Sequence, residues 1–274
     1  MIVFISDLHL GDGSKSDDFH RDAEFIEFLK WTDGRAKEIV ILGDLYELWQ
    51  AKYEKVIWHH AAVIRALEAR RDKITYVFGN HDYLPFARVT AETYRSGDGR
   101  IVAQHGHQYD KYNEFKNPLR SIKWPIGRWI TLAVAGLERI IHPDVDWWLE
   151  KQRNRFGSFM IEVSKLHNRR SRNKAWRGEL EIQTIKGLRD QHIGQISIFG
   201  HSHNAEVLKI PCDTSPNFPS EEGAGWGVKG GHRIYANCGS WTDAEYPTFI
   251  AVTKSGVQVR DGYEPDEVLE EVKI

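Results

Sequence analysis

Apolar residues along the first hundred positions follow two different periods. Short, mainly apolar runs predict buried strands at residues 2–5, 38–42, 74–78 and 101–103. Between some of these runs, apolar residues recur at spacings of three and four, which is the period of a helix. One helix is predicted from Phe19, Ala23, Ile26 and Leu29, and a second from Val56, Ile57, His60, Ala61, Ile64 and Leu67. Strands that alternate with helices indicate βαβ units.

The pattern becomes strand-rich after residue 190. Strands are predicted at residues 195–199, 206–210, 233–236, 248–253 and 257–260. A loop rich in Pro, Gly and Ser is predicted at 213–231, and a short acidic tail at 264–274. Together the two halves predict an α/β fold with two sheet segments wrapped by helices.

The segment between these halves, residues 111–189, has few strand signals and long helical patterns. It carries 17 basic and 8 acidic residues, whereas the rest of the chain carries 20 basic and 31 acidic residues. A basic helical insertion in an acidic body favours a cap over a site, and a solvated basic surface is the alternative. We therefore predict a core of residues 1–110 and 190–274 with a helical cap insertion at 111–189.

The composition narrows the class of protein. The 274 residues are 41% hydrophobic and 28% charged, with a formal net charge of -2, which argues against a disordered chain. Two cysteines, Cys212 and Cys238, are too few for a disulfide scaffold. Charges and a proline interrupt the apolar stretch at 124–141, so no membrane span is expected, and no leader pattern is recognised. We expect a soluble, cytoplasmic protein.

Side chains that can bind metals follow five of the predicted strands. They are Asp7 and His9; Asp44; Asn80, His81 and Asp82; His105 and His107; and His201 and His203. In open α/β sheets, ligands bind outside the carboxyl ends of the strands. Glycines adjoin four of these five strand ends and allow the backbone to turn sharply where a ligand approaches. The five strand ends are therefore predicted to meet at one site.

The residue types at these strand ends favour a pair of divalent metal ions. Mixed carboxylate, amide and imidazole ligands suit Mn²⁺, Fe²⁺ or Zn²⁺ better than a calcium cage or a thiolate zinc site. Asp44 is central in sequence order, and its two oxygens can bridge both ions. Ions about 3.5–4 Å apart ionise a shared water and stabilise an in-line displacement at phosphorus.

In this order, the motifs resemble those of the calcineurin-like metallophosphoesterases. The resemblance rests on Asp7-Leu8-His9, Gly43-Asp44, Gly79-Asn80-His81-Asp82, His105-Gly106, Gly200-His201-Ser202-His203 and the closing Asn237-Cys238-Gly239-Ser240. It implies two facing mixed β-sheets flanked by helices and a dinuclear centre, most often of manganese. It implies one metal held by Asp7, His9, Asp44 and His203, and another held by Asp44, Asn80, His105 and His201. It also implies that His81 is the catalytic residue beside the leaving group.

Within that family, the motifs at 6–11 and 43–49 and the helical insertion resemble the branch of the UDP-2,3-diacylglucosamine pyrophosphatases. This branch cleaves a pyrophosphate, releases UMP and an acylated sugar phosphate, and holds the acyl chains under its cap. In that branch, Arg stands in the place of His81 and Asp in the place of His107. The resemblance thus implies a nucleotide-linked or lipid-linked pyrophosphate as substrate, and a general phosphodiesterase or phosphatase acting on nucleotides, phosphoproteins or nucleic acid is the alternative.

Three further residues are candidate contacts to the phosphoester substrate, namely His107, Asn113 and Arg120. His107 is equally explained as a hydrogen-bonded loop histidine. Arg120 lies where basic residues alternate with Trp and aliphatic residues, which suits either a lid on the core or peripheral contact with the inner membrane face. The basic run at 169–177 favours a solvated helix face over a nucleic-acid surface. The adjacent His59 and His60 are interpreted as packing residues of a helix.

A non-catalytic scaffold with the same fold is the alternative from another class of protein. Such a scaffold is expected to have lost metal ligands, whereas every ligand position of the motifs is filled in this sequence. The sequence leaves the oligomeric state open.

Overall fold

The computed structural model describes residues 1–14, 17–82, 92–107, 195–211, 232–242 and 246–274. The predicted cap insertion at 111–189 lies outside these residues, and so do Asn113, Arg120 and the predicted loop at 213–231. The predicted division into core and cap therefore stays a prediction. No helix among the described residues is long and apolar enough to cross a membrane.

The described residues form eleven strands and three α-helices. The strands are β1 (Ile2–Ile5), β2 (Glu38–Leu42), β3 (Ile74–Val77), β4 (Tyr94–Arg95), β5 (Ile101–Ala103), β6 (Ile196–Phe199), β7 (Glu206–Pro211), β8 (His232–Asn237), β9 (Thr248–Val252), β10 (Gly256–Asp261) and β11 (Val268–Lys273). The helices are α1 (Asp22–Thr32), α2 (Tyr53–His59) and α3 (Ala61–Glu68), and a 3-10 turn covers Arg71–Lys73.

The strands build two mixed sheets. The first has six strands in the order β11-β10-β9-β1-β2-β3, in which β1, β2 and β3 run parallel and β9, β10 and β11 are antiparallel to their neighbours. The second has five strands in the order β4-β5-β6-β8-β7, in which β5, β6 and β8 run parallel. The predicted α/β architecture of two facing mixed sheets is confirmed.

The hydrophobic core lies in two layers because β1 and β2 are buried on both faces. Side chains alternate across a strand, so Val3 and Ile5 of β1 face the helices, while Phe4 faces the second sheet. The inter-sheet layer contains Val40 and Leu42 of β2 together with apolar residues of β6, β8, β9 and β10. This double burial explains why the first strands appear in the sequence as mainly apolar runs.

Two helix predictions need correction. The first helix begins at Asp22, and its buried face consists of Phe25, Phe28, Leu29 and Thr32, whereas Ala23 is exposed. The face turns this way because Phe25 and Phe28 pack on the buried Trp241, with ring centroids 4.8 and 5.0 Å apart. The second predicted helix is divided into α2 and α3 at His60, whose backbone departs from helical geometry (φ -94°, ψ 32°).

The predicted acidic tail is in part a strand. Residues Val268–Lys273 form β11, which pairs with β10 at one edge of the first sheet. The pairing with β11 provides hydrogen-bond partners for the backbone groups along the outer edge of β10. The exposed Glu and Lys side chains of β11 then disfavour the pairing of this edge strand with another chain. The two-residue strand β4 was not predicted, since a pair of residues is too short to show a period.

Candidate active site

The loops that follow strands of both sheets meet at one site. The His105 ring, after β5 of the second sheet, donates from Nδ1 to the carbonyl of Leu42 in β2, at 2.7 Å. The backbone N–H of His201, after β6, donates to Asp7 Oδ2 at 2.8 Å, and Asp7 follows β1. These contacts bring together the strand ends of two separate sheets, as the sequence predicts.

The backbone at the site is held in an unusual conformation. Five residues other than glycine have a positive φ among the described residues, and all five are candidate metal ligands: Asp7 (56°), His9 (50°), Asp44 (52°), His201 (66°) and His203 (58°). This left-handed region is sparsely populated by residues with a Cβ, and such residues concentrate at functional sites. The fold therefore tolerates backbone strain in order to aim these side chains at a common point.

One group of candidate ligands is formed by Asp7, His9 and His203, whose ligand atoms lie within 4.8 Å of one another. The Nε2 atom of His203 is 3.1 Å from Asp7 Oδ1, and the Nε2 atom of His9 is 3.7 Å from the same oxygen. The other oxygen of Asp7 accepts a hydrogen bond from Ser6 at 2.5 Å. Asp7 is thereby fixed with Oδ1 facing two imidazole nitrogens.

A second group is formed by Asp44, His105 and His201. His105 Nε2 is 3.1 Å from Asp44 Oδ2 and also 3.1 Å from the Oδ1 atom of Asn80. Asp44 Oδ2 is in addition 3.8 Å from Nε2 of His9, which belongs to the first group. Asp44 therefore stands between the two groups, and Asn80 joins the second.

His81 lies beside the first group and is held from three sides. Its Nδ1 atom is 2.7 Å from Glu47 Oε2, and its backbone N–H donates to Asp44 Oδ1 at 2.8 Å. Its ring stacks on Trp49, with centroids 3.9 Å apart and planes 14° apart. Because Nδ1 is engaged by Glu47, Nε2 is the nitrogen left to face a substrate.

Glu47 and Trp49 were not predicted as functional residues. Glu47 is buried, and its Oε2 atom also accepts from His9 Nδ1 at 2.9 Å, so one carboxylate oxygen orients two histidines. A histidine that binds a metal commonly donates its other N–H to a carboxylate or a carbonyl. His9 and His105 both follow this rule, through Glu47 and the Leu42 carbonyl.

The charges at the site also suit cations. Asp7, Asp44 and Glu47 are buried, and burial alone would raise the pKa of each carboxyl group. The surrounding histidines outweigh burial: they hold the pKa of Asp7 and Asp44 well below the usual range and that of Glu47 at about 2. Burial opposes protonation of His105, yet Asp44 and Asp7 raise its pKa to about 9. The site therefore stabilises positive charge strongly.

The residues fit the divalent ions that the sequence predicts. Nε2 of His9 is buried and has no hydrogen-bond partner among the described residues, although it points between the carboxylates of Asp7 and Asp44. A buried nitrogen without a partner costs about 1–3 kcal/mol unless a ligand satisfies it. A metal ion held jointly with these carboxylates would satisfy this nitrogen.

Two polar residues outside the ligand groups fix the loops. Asp82 accepts from the backbone N–H groups of Leu45 and Gly79, both at 2.7 Å, and from the Tyr76 hydroxyl. The Asn237 side-chain amide donates to the Gly200 carbonyl at 2.8 Å. Asp82 thus connects the loops after β2 and β3, and Asn237 supports the loop after β6.

The structure brings together all seven predicted metal ligands and His81. His107 is buried near them, with its ring centroid 5.4 Å from that of His105, but it belongs to none of the ligand groups of the described residues. Its predicted contact with substrate stays a prediction. The same is true of Asn113 and Arg120, which lie outside the described residues.

Comparisons with known proteins agree with this arrangement. The family described as calcineurin-like phosphoesterase matches residues 1–205. A UDP-2,3-diacylglucosamine hydrolase of Blochmanniella pennsylvanica is 28% identical over 76% of this chain and 81% of its own length. One from Enterobacter sp. (strain 638) is 25% identical over 94% and 97%. In fold, the chain is similar to a dimetal phosphatase from Danio rerio, with a TM-score of 0.50, 13% identity and coverage of 100% and 98%. Since the family match spans the strand ends that carry the buried ligand groups, the chain belongs to the calcineurin-like phosphoesterases, as the motifs predict, and is a phosphoesterase.

Proposed function

We propose that this phosphoesterase uses two divalent metal ions to hydrolyse the pyrophosphate of a nucleotide-linked, acylated sugar such as UDP-2,3-diacylglucosamine. The proposal of two metal ions rests on the position of Asp44 Oδ2, which is 3.1 Å from His105 Nε2 and 3.8 Å from His9 Nε2. One carboxylate between two imidazole-containing groups is the arrangement that a shared ligand requires. The substrate is supported by relatives named as UDP-2,3-diacylglucosamine hydrolases along most of the chain.

Asp7, His9, Asp44 and His203 would hold one ion, and Asp44, Asn80, His105 and His201 the other. Imidazole, carboxylate and amide ligands suit Mn²⁺, which we propose as the working metal, with Fe²⁺ and Zn²⁺ as alternatives. When bound, such a pair supplies hydroxide at neutral pH and neutralises charge on the phosphate. The residues around it orient the ligands and handle the leaving group.

His81 is proposed as the group that protonates the leaving oxygen. Glu47 holds Nδ1 of its ring at 2.7 Å, and Trp49 fixes the plane of the ring by stacking. Nε2 is thus directed away from Glu47 and can donate a proton to the leaving oxygen. A general acid placed in this way contributes about 10²–10⁴ to the rate.

The proposed substrate also bears on where the enzyme works. Acyl chains keep such a substrate at a membrane surface, so we propose a cytoplasmic enzyme that contacts the inner membrane face peripherally. The basic and aromatic residues between 116 and 130 support this proposal, because such a mixture favours anionic interfaces. In the same proposal, the insertion at 111–189 is a cap over the site, where Asn113 and Arg120 contact the substrate.

The test is a hydrolysis assay with Mn²⁺ on four substrates: UDP-2,3-diacylglucosamine, its deacylated counterpart, bis-p-nitrophenyl phosphate and single-stranded DNA. We expect selective turnover of the acylated substrate, with UMP and the acylated sugar phosphate as products. The variant Asp44→Asn should abolish hydrolysis of every substrate, since it replaces one oxygen of the proposed shared carboxylate by an amide nitrogen and removes the negative charge. Equal turnover with and without acyl chains would reject the lipid substrate and favour the general phosphodiesterase. Full activity of Asp44→Asn would reject the dinuclear centre.

A further inference from the structure

A second cluster of metal-binding side chains lies outside the candidate active site. It consists of Asp17 in the loop between β1 and α1, His59 at the end of α2, and His60 at the junction of α2 and α3. One ligand atom from each of the three lies within 4.8 Å of the others. The cluster shares no residue with either ligand group of the phosphoesterase site.

His60 is the most firmly oriented member of the cluster. It is 1% exposed, and its Nδ1 atom is 2.7 Å from Asp22 Oδ1 at the start of α1. Its other nitrogen, Nε2, is 3.3 Å from Asp17 Oδ2. A metal-binding histidine commonly donates a hydrogen bond from one ring nitrogen to a carboxylate, so that its other nitrogen faces the metal. His60 has this arrangement, with Nδ1 beside Asp22 and Nε2 facing Asp17.

The carboxylate of Asp17 is also fixed before any ion binds. It is 4% exposed, and it accepts from the backbone N–H groups of Gly13 (2.7 Å) and Phe19 (3.1 Å). These two bonds close the loop that leads from the candidate active site to α1. Asp17 thus stays beside His60 Nε2 without having to reorganise.

The imidazole of His59 is placed against this loop by Gly13. A Cβ atom at Gly13 would lie 2.3 Å from Cε1 of His59, so the ring occupies the space of a side chain. Gly13 also has a φ of 74°, a conformation that residues with a side chain rarely adopt. The His59 ring packs edge to face with His60, with centroids 4.7 Å apart. His59 is exposed, which leaves a path for an ion and a position for water.

We propose that Asp17, His59 and His60 form a further metal site that binds Zn²⁺ and connects the loop after β1 to the α2–α3 junction. Two imidazoles and one carboxylate are a ligand set of zinc, with water in the fourth position. Neighbouring ligands in a tetrahedral zinc site are about 3.3 Å apart. The separation of His60 Nε2 and Asp17 Oδ2, 3.3 Å, already equals this value.

The site also explains why the helix is divided at His60. Residues in an unbroken helix project at about 100° steps, so the adjacent His59 and His60 would diverge. The departure from helical geometry at His60 instead lets both rings approach one carboxylate. Without a metal ion, the same geometry leaves the two ring nitrogens of His60 at hydrogen-bond distance from Asp17 and Asp22.

The test compares bound zinc in three forms of the full chain. Metal-free protein is dialysed to equilibrium against a fixed concentration of free Zn²⁺, and the zinc per chain is measured by mass spectrometry. The variants are His59→Ala and the matched control His232→Ala, which removes an exposed histidine at the start of β8. We expect His59→Ala to bind one ion fewer than the unchanged protein, and His232→Ala to bind the same number.

The result is a difference between variants, so it does not depend on how many ions the phosphoesterase site holds. A second variant, Asp17→Asn, should also lose one ion. Anomalous diffraction at the zinc edge should show a peak between His60 Nε2 and Asp17. Equal zinc in all forms, or no peak at this place in crystals that hold zinc at the phosphoesterase site, would overturn the proposal without affecting the proposed hydrolysis.

Discussion

Glu47 joins the candidate metal ligand His9 to the proposed general acid His81 through a single oxygen atom. Its Oε2 atom is 2.9 Å from His9 Nδ1 and 2.7 Å from His81 Nδ1. The two imidazole rings meet edge to face, with centroids 4.7 Å apart. A change at Glu47 should therefore affect both metal binding and leaving-group protonation, whereas a change at His81 should affect only the second.

The variant His81→Ala separates these two effects. We expect turnover to fall by about 10²–10⁴, because the proton donor is lost, while the bound metal per chain stays almost unchanged. The loss should be larger for a phosphodiester with an alkoxide leaving group, which needs a proton, than for bis-p-nitrophenyl phosphate, whose p-nitrophenolate leaves without one. Steady-state kinetics on both substrates and metal analysis provide the measurements. Equal loss of metal and activity would show that His81 is needed for the centre itself.

The variant Glu47→Gln tests the shared oxygen. Glutamine keeps the size of the side chain but removes the charge, so we expect metal affinity and turnover each to fall by about 10–100-fold. The matched control is Glu68→Gln at the exposed end of α3, which should leave both unchanged. Metal titrations of the two variants give the comparison. An unchanged affinity in Glu47→Gln would mean that His9 needs no orienting carboxylate.

At the scale of elements, the site depends on how closely the loops after the strands approach one another. Gly79, after β3, shows this most clearly, since an added Cβ would lie 2.0 Å from Asp44 Oδ1. The Asp44 carboxylate occupies the volume where any larger side chain at 79 would begin. Glycine is thus required here by a side chain that follows the neighbouring strand β2, and not by the turn to which Gly79 itself belongs.

We predict that Gly79→Ala displaces Asp44 and abolishes most hydrolysis, with a loss of at least about 10²-fold, as a misplacement of 1 Å can cause. The matched control is Gly97→Ala, because a Cβ at Gly97 meets open space and should leave turnover unchanged. Both variants are measured for turnover and for thermal unfolding. If Gly79→Ala keeps full activity, the placement of Asp44 is not the constraint that the contact suggests.

Elements with a strong local period could be predicted from the sequence, and those defined by distant contacts could not. The predicted strands agree with β1, β2 and β5 to the residue, and the seven candidate metal ligands could be selected because each follows a predicted strand. The orientation of α1 depends on Trp241, more than 200 positions away, and β11 depends on the edge of β10. Glu47 lies within the motif at 43–49, but its role could not be predicted, because that role arises only when His9 and His81 converge on it.

At the scale of the whole molecule, the candidate metal centre joins the two sheets. Asp7 and Asp44 follow strands of the six-stranded sheet, whereas His105, His201 and His203 follow strands of the five-stranded sheet. Each ligand group therefore takes its carboxylate from the six-stranded sheet and at least one imidazole from the five-stranded sheet. Ions bound here would crosslink the sheets at the edge where the parallel strands end.

Removal of metal should accordingly destabilise the whole fold rather than one loop. An ion at 100 times its dissociation constant stabilises the folded state by about 2.7 kcal/mol, provided that the unfolded chain does not bind it. We predict that urea unfolding in Mn²⁺ has a higher midpoint than in a chelator, with the same slope and one transition in both. In Asp44→Asn the shift between the two conditions should largely vanish, because the shared carboxylate is lost. A full shift in this variant would place the stabilising ion elsewhere, and an unchanged midpoint in the unsubstituted protein would mean that metal does not hold the sheets together.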